Sequence, residues 1–471
     1  MLKLFKSTNF SFAAEIFASM SLSSMLRTAG FYKTKGLTAV TLLLEAICAI
    51  IVAATPNAYI RHGKTYEAEK LSKSPFYRFL SLANVNWRKF HEQVSLSAVK
   101  KTSKLTKKRS RKCLIIDDSN INRGRSRAVE LMAKIFNHVD KRFELGFTYL
   151  ALAWTDGFST FPLDFALMSS KKDEYCFNKP EHMDTRKSSD KRKKESRLSK
   201  PEVVLQMIKK ALDQGIEADT VLFDTWFTTA PLVTKIRALG VHVIGMLKHM
   251  SNNCYLYKNT RYSLRELIDV LSQRGAFKYD GSGVYCSIVV TMCGSRKKPA
   301  NLKVKLVFVR DRNNPSKVLT LLCTDLTMSD SDIIQTYGKR WKIEEMFYTQ
   351  KNYLKLVTGS RARNYNSLIA HFTLVNIANI FLEFHRRWYE DKKSIGGIFE
   401  ECCEDIRDIP FDIALTKLLS IIYNIIDDLK LKGCLKEGMY DMAIKIADDH
   451  TQQWFMALPR FLTERYGLMA S

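Results

Sequence analysis

The sequence predicts an α/β protein: a mixed sheet with helices on its faces and a β-rich insertion, flanked by helical N- and C-terminal regions. Three observations predict it. Residues 113–247 read as β, (helix), β-β, α, β, α, β, an antiparallel hairpin followed by α/β crossovers. Residues 1 to about 110 carry helical patterns and almost no strand signal. From Ser329 the chain reads helical almost to its end. The resulting division is 1–110, 111–250, 251–325 (the insertion), 326–365 and 366–471.

In the 111–250 segment, Cys113-Leu114-Ile115-Ile116-Asp117 is a short apolar strand running into acid, and a helix is expected from Ser126 to Asn137. Phe143–Trp154 and Phe158–Met168 are strand-like runs joined by the turn Asp156-Gly157. Residues 170–198 read as a polar, charge-dense loop. Ser199, with Glu202 three residues on, fits a capping box opening a helix. Strands are expected at Thr220–Asp224 and Val241–Leu247, with a helix from Thr229 to Leu239 between them. In the insertion, Val284–Thr291, Lys303–Arg310 and Val318–Cys323 are strand-like, the last after the turn Asn313-Asn314-Pro315. Leu415, Leu418, Ile422, Ile425 and Leu429 form a stripe at helical spacing, either core or a partner-facing surface.

With 471 residues and 46% hydrophobic composition, the chain holds two to four domains with large cores. Lys plus Arg number 74 against 48 Asp plus Glu, a net charge of +26. Residues 1–112 hold 20 basic and 5 acidic residues, whereas residues 361–471 come out near −2. A positive front on a neutral tail points to a polyanion partner, nucleic acid first, although a ribosome-bound or membrane-surface protein would give the same sum. Lys100–Lys112 has eight basic residues in thirteen, a solvated linker or a phosphate-tracking segment. The ten cysteines form no CxxC pair, which argues against zinc and a disulfide framework and for a reducing compartment. Lys3 and Lys6 follow Met1 without a signal-peptide pattern. The run Ala39–Ala54 is interrupted by Glu45 and falls short of the about 20 apolar residues of a membrane helix, so a cytoplasmic protein without a membrane partner is expected.

Asp117 (with Asp118) and Asp224 each end an apolar strand. Parallel core strands would bring both carboxylates to one sheet edge, where α/β sites lie, although a single acid after a strand is commonly a cap or turn residue. Tyr337, Arg340, Glu344 and Lys351 are spaced 3, 4 and 7 apart, within roughly 60° of one another on an ideal helix. Arg340 and Glu344 are also an ordinary i,i+4 pair, and Gly338 weakens the helix beside Tyr337. Yet a solvated face does not need Tyr, and a core face would not carry three charges. A carboxylate for a metal and cations for phosphates suit phosphodiester chemistry.

Tyr337-x2-Arg340-x3-Glu344-x6-Lys351 resembles the Y-(2)-R-(3)-E-(6)-K signature of bacterial insertion-sequence DDE transposases of family four. The likeness extends over most of the chain. It implies a helical DNA-binding N-terminal region, a ribonuclease-H-like core, a β-rich insertion between the second Asp and the Glu, and a helical C-terminal region. Two ends must be held together, so a dimer on DNA is expected, with the near-neutral C-terminal helices either its interface or intramolecular core. It further implies that Asp117, Asp224 and Glu344 hold metal, with Arg340 and Lys351 on phosphates and Tyr337 supporting them. Asp117-Asp118-Ser119 matches the family's Asp-x-Thr/Ser from Asp117; Asp118 stays a rival, and Glu345 points about 100° away from Glu344. Asp224-Thr225-Trp226-Phe227 lacks the small residue expected after the second acid.

Three carboxylates suit two Mg²⁺ ions (or Mn²⁺) about 4 Å apart for in-line displacement, and the nine scattered histidines are not needed as bases. The expected activity is cut-and-paste transposition by a homodimer on double-stranded DNA in the bacterial nucleoid: binding inverted repeats, freeing a 3′-hydroxyl and joining it to target DNA. The excision route stays open, a hairpin among the alternatives. A structure-selective nuclease on the same core and a silent DNA-binding repressor are the rival readings.

Overall fold

The computed structural model describes residues 21–33, 35–52, 56–61, 73–107, 110–137, 140–249, 253–277, 284–295, 298–311, 314, 317–388, 392–436 and 438–456. The readings at Met1, Lys3 and Lys6, at Ala53 and Ala54, at Lys108 and Arg109, at Asn313 and Pro315, and for the Leu415 side chain lie outside the described residues.

The front of the chain is helical as expected: α1 (Leu22–Thr28), α2 (Ala39–Ile51), α3 (Pro56–Arg61), α4 (Lys73–Leu80) and α5 (Trp87–Ser103). The sheet then begins with β1 (Cys113–Asn122), whose first four residues are buried, as a strand covered on both faces requires. β2 (Ala133–Asn137), β3 (Arg142–Thr155) and β4 (Thr160–Met168) follow, with β3 and β4 paired antiparallel through the expected hairpin. Helices α6 (Ser188–Glu195) and α7 (Lys200–Asp213), strand β5 (Thr220–Phe223), helix α8 (Ala230–Arg237) and strand β6 (His242–Met246) complete the core. The capping box of Ser199 and Glu202 opens α7.

β1 runs antiparallel to β3, from Cys113↔Thr155 to Asn122↔Gly146, and parallel to β5 through Ile115↔Leu222; β5 runs parallel to β6. The spatial order β4-β3-β1-β5-β6, with helices on its faces, is the mixed ribonuclease-H-like core expected. The sheet continues past β6. β7 (Cys254–Tyr257), β8 (Thr260–Ser263), helix α9 (Leu264–Gln273), β9 (Val284–Ser295), β10 (Lys298–Arg310) and β11 (Val318–Cys323) come from 254–323. β11 pairs antiparallel with β6, so these strands join one sheet of 11 strands among the described residues.

Two local readings are corrected. The helix expected over 126–137 is a turn region followed by β2, antiparallel to β3 from Ala133↔Gly146 to Asn137↔Arg142. The open edge of β3 supplies ladder partners, and Asn178 fixes the preceding turn by donating to the carbonyls of Arg127 and Val129. The loop read over 170–198 contains α6. Four of its six charged residues, Asp190, Arg192, Lys193 and Glu195, are buried because partners converge on them: Arg88 of α5 donates to Asp164 of β4 at 2.5 Å and to Glu195 at 2.6 Å. Burial opposes the Arg88 charge, but the carboxylates of Asp164, Glu195 and Glu92 outweigh it and hold the guanidinium above its ordinary range.

Past the sheet lie α10 (Asp330–Gly338), α11 (Trp341–Tyr348), a π turn at Thr349–Tyr353, α12 (Tyr365–Trp388), α13 (Ile395–Leu431) and α14 (Met439–Met456). Among the described residues α12 is the one helix long and apolar enough to cross a membrane; 89% of its apolar window is buried inside the fold, against α5, α2 and β4. The ten cysteines are free thiols, six of them buried.

Arg88→Ala would leave Asp164 and Glu195 buried with only the longer Arg192 contacts, at 3.7 and 3.9 Å. The expected loss of stability is about 3–5 kcal/mol, read by urea denaturation followed through tryptophan fluorescence. A loss below about 1 kcal/mol would mean that the cluster carries no weight.

Candidate active site

The parallel pairing of β1 with β5 sets the site. The ladder runs as far as Ile115↔Leu222, and two residues further along each strand stand Asp117 and Asp224. Asp224 follows the last residue of β5 and closes an Asx turn: its Oδ1 accepts the N–H groups of Trp226 at 2.9 Å and Phe227 at 3.2 Å. Thr228 Oγ1 donates back to the Asp224 carbonyl at 2.6 Å. A Cβ at Gly245 of β6 would stand 2.3 Å from that hydroxyl, so the close approach requires glycine there.

α10 ends at Gly338 and α11 starts at Trp341, with Arg340 at the junction. The helix carrying the four-residue signature is therefore broken and ends in the π turn, so Tyr337, Arg340, Glu344 and Lys351 do not share one ideal helix face. They converge nevertheless. Arg340 Nη1 lies 3.4 Å from Asp117 Oδ2, and its Nη2 donates to Glu344 Oε1 at 2.7 Å. The guanidinium also lies over the Tyr337 ring, 5.9 Å from its centroid. Lys351 donates to the Ser119 hydroxyl. Ile343, Met346 and Phe347 hold α11 against the sheet, with the Phe347 ring 5.5 Å from that of Tyr149 on β3.

Successive strand residues face opposite ways, so Asp117 and Ser119 share one face of β1, and the signature residues contact that face. Asp118 pairs instead with Lys200 at the start of α7, at 2.5 Å, and that ammonium lies 4.7 Å from the centroid of the half-exposed Trp226 ring. Glu345 pairs with Lys342 at 2.7 Å on the exposed side of α11. Lys200 and Trp226 carry no recognisable spacing in the sequence, and only the fold brings them in; Ser119 stands at the second position after Asp117, where the Asp-x-Ser pattern places it.

Burial pushes Asp117 up to about 7; Asp224 and Asp118 act in the same direction, against the Asp118 N–H and Arg340. Asp224 is raised as well, again mainly by burial, with Asp118 adding and the two turn N–H groups and Arg340 opposing. Burial pushes the Tyr337 phenol up to about 12 and the Lys351 ammonium down. Among the described residues no three His, Cys, Asp or Glu side chains are grouped as a ready-made metal site. The donors nevertheless fit a hard divalent cation. Asp117 and Asp224 are neighbouring desolvated carboxylates with Arg340 as their common opposing charge, and Glu344 stands one guanidinium away from Asp117.

An acid whose folded pKa lies above its unfolded value binds its proton more tightly in the native state. For Asp117 the stabilisation is present below about 4 and is lost as the pH rises through about 7. Asp117→Asn removes this slope. In EDTA the variant should melt above wild type at pH 8 and converge with it near pH 4; a wild type equally stable at pH 8 would contradict the raised pKa.

Two family models match the chain. One is described as DDE superfamily endonuclease and covers residues 64–256, a span that includes Asp117 and Asp224. The other, Transposase DDE domain, covers residues 189–380, including Asp224 and all four signature residues. None of the curated proteins compared with the chain matches it. The two matches overlap across the second acid and between them take in β1, β5 and α11, and they support a DDE transposase, a transposase-type nuclease with DNA as its substrate.

Proposed function

We propose that the chain is the transposase of an insertion sequence, with Asp117, Asp224 and Glu344 as its metal-holding and catalytic acids. One observation carries this reading: Arg340 joins Asp117 on β1 to Glu344 on α11, beside Asp224 on the neighbouring parallel strand. Bound Mg²⁺, most simply two ions, supplies a water of lowered pKa and charge neutralisation at the leaving oxygen.

The chain's own residues perform the rest. Asp117, Asp224 and Glu344 fix the donor oxygens, and burial keeps competing water away from Asp117. Arg340 and Lys351 bring positive charge to the scissile phosphate, with Tyr337 packed under the guanidinium. In the first step water oxygen bonds to phosphorus and the P–O3′ bond breaks, leaving a 3′-hydroxyl at the element end. In the second that hydroxyl oxygen attacks a target phosphorus, one phosphodiester replacing another, so no external energy source is needed. The basic helical front binds the inverted repeats.

Two ends are held by two copies. On α13, Leu418, Ile421, Ile422, Ile425 and Leu429 are exposed at spacings of one, three and four residues, an apolar face left open on a helix that packs against α14. Replacing Ile421 and Ile425 together by Glu should shift the protein from dimer to monomer in light scattering on end DNA. An unchanged mass would place the interface elsewhere.

The catalytic reading is tested with purified protein, Mg²⁺ and DNA carrying the repeats that flank the gene, wild type beside Glu344→Gln. Wild type should nick at the repeat boundary and join the end to target DNA, with a loss of at least about 10³-fold in the variant. Binding without nicks by either protein supports a repressor, nicks without joined product a nuclease, and cleavage surviving in Glu344→Gln a different active site.

A further inference from the structure

Beyond the carboxylates, a cleft of about 740 Å³ opens between α4 and the segment 354–364 that follows the signature. Its floor is apolar, with Ala49, Ile50, Phe76 and Leu374. Its walls carry five cations, Lys73, Arg78, Lys355, Arg361 and Arg363, and among the described residues no Asp or Glu lines it. Among the described residues none of the five is in ion-pair contact with an acid, and Lys355 donates to the Asn352 carbonyl at 2.7 Å. Five like charges around one cleft repel one another, and a polyanion relieves that repulsion.

The basic wall is built in. Lys355 is held in the left-handed region at φ 51°, and the Gly359 N–H donates to the Lys355 carbonyl at 2.7 Å. A Cβ at Gly359 would stand 2.8 Å from that carbonyl oxygen and 3.1 Å from His371 Cε1, so the tight fold of the segment requires glycine. The buried His371 ring hydrogen-bonds the Leu356 carbonyl at 3.1 Å. Behind Ser360, Arg123 donates to its carbonyl at 2.5 Å, while the Arg123 Nε and Nη2 atoms are buried without a partner. A sixth cation thus stands behind the wall.

Size and chemistry identify the occupant. The volume falls within the roughly 300–1,000 Å³ of small-molecule sites, room for a few extruded nucleotides and too little for a duplex. Tyr77 lines the cleft and is 41% exposed, an aromatic platform of the kind on which unpaired bases stack. We propose that this cleft binds a short single-stranded stretch of the DNA substrate, phosphates on the Arg78 and Arg361 walls and a base on Tyr77. The wall begins three residues after Lys351, so it is continuous in the chain with the catalytic machinery. The proposal rests on the nuclease reading for the identity of the polyanion.

The test uses the full chain in EDTA, with fluorescence anisotropy of a labelled twelve-nucleotide oligothymidylate and of a labelled twenty-base-pair duplex. Arg78→Ala combined with Arg361→Ala should weaken oligothymidylate binding about tenfold and flatten its log–log salt dependence by about 1.4, roughly 0.7 for each phosphate no longer neutralised. Duplex affinity should stay within about twofold of wild type. Tyr77→Ala should weaken the single strand at least about fivefold with the salt dependence unchanged. All three side chains are exposed, so the melting temperature should not move. Oligothymidylate affinity within about twofold of wild type in the double variant would overturn the proposal, as would equal weakening for single strand and duplex. Because neither metal nor cleavage enters the measurement, a protein that never nicks DNA leaves the cleft assignment standing and sinks only the catalytic reading.

Discussion

Two acids at the ends of adjacent parallel strands repel each other, and the site is organised around that repulsion. Burial raises both Asp117 and Asp224, and each stands close enough to a neighbouring carboxylate to be raised further. Arg340 is the opposing charge common to both, and it also holds Glu344. A guanidinium suits this position because its donors lie in a planar fork and can reach two acids at once. The break between α10 and α11 follows from the same requirement. It places Arg340 at a helix junction over the sheet edge, while Ile343, Met346 and Phe347 remain buried below.

Precision at that edge depends on polar contacts inside an otherwise apolar core. Asn376 of α12 accepts from the Tyr149 hydroxyl of β3 at 3.0 Å and from Gln350 of the π turn at 3.1 Å, and donates to the Phe372 carbonyl at 2.8 Å. Gln350 precedes Lys351, so the central helix fixes the turn that brings the ammonium to Ser119. On the other side of the core, Arg88 ties α5 to β4 and α6. Buried polar groups of this kind contribute little net stability when satisfied and a large penalty when broken, so they favour one packing over its neighbours. In this fold they join the helical front, the sheet and the signature segment.

Local signals carry much of this arrangement. The strand ending in Asp117, the Asp156-Gly157 hairpin and the capping box at Ser199 are set by residues close in the chain, and their chemistry is readable there. β2 reads as helix in the sequence because its short stretch gains strand character only from the free edge of β3. α6 reads as loop because its charges look solvated until Asp164, Glu130 and Arg88 are brought beside them. The continuation of the sheet through β11 rests on the pairing Leu322↔Gly245, between residues far apart in the chain. The signature spacing is legible, but the convergence of its residues owes more to tertiary contacts than to helical periodicity.

The choice between the two adjacent acids of β1 follows from strand geometry. Alternation sends Asp117 and Asp118 to opposite faces, and everything the signature segment offers arrives on one of them. Arg340 meets Asp117, and Lys351 meets Ser119, two residues along the same face. Asp118 points off the face that Arg340 and Lys351 reach, although it stays close enough to Asp224 to raise it, and it already has a counter-charge in Lys200, itself backed by the Trp226 ring. An acid paired in this way is poorly placed to bind a cation, because the cation would first have to displace an ammonium. Asp117 is desolvated, and Arg340, its ion-pair partner, also holds Glu344. The strand face it shares with Ser119 and its link through Arg340 to Glu344 support the proposed role of Asp117 beside Asp224 and Glu344.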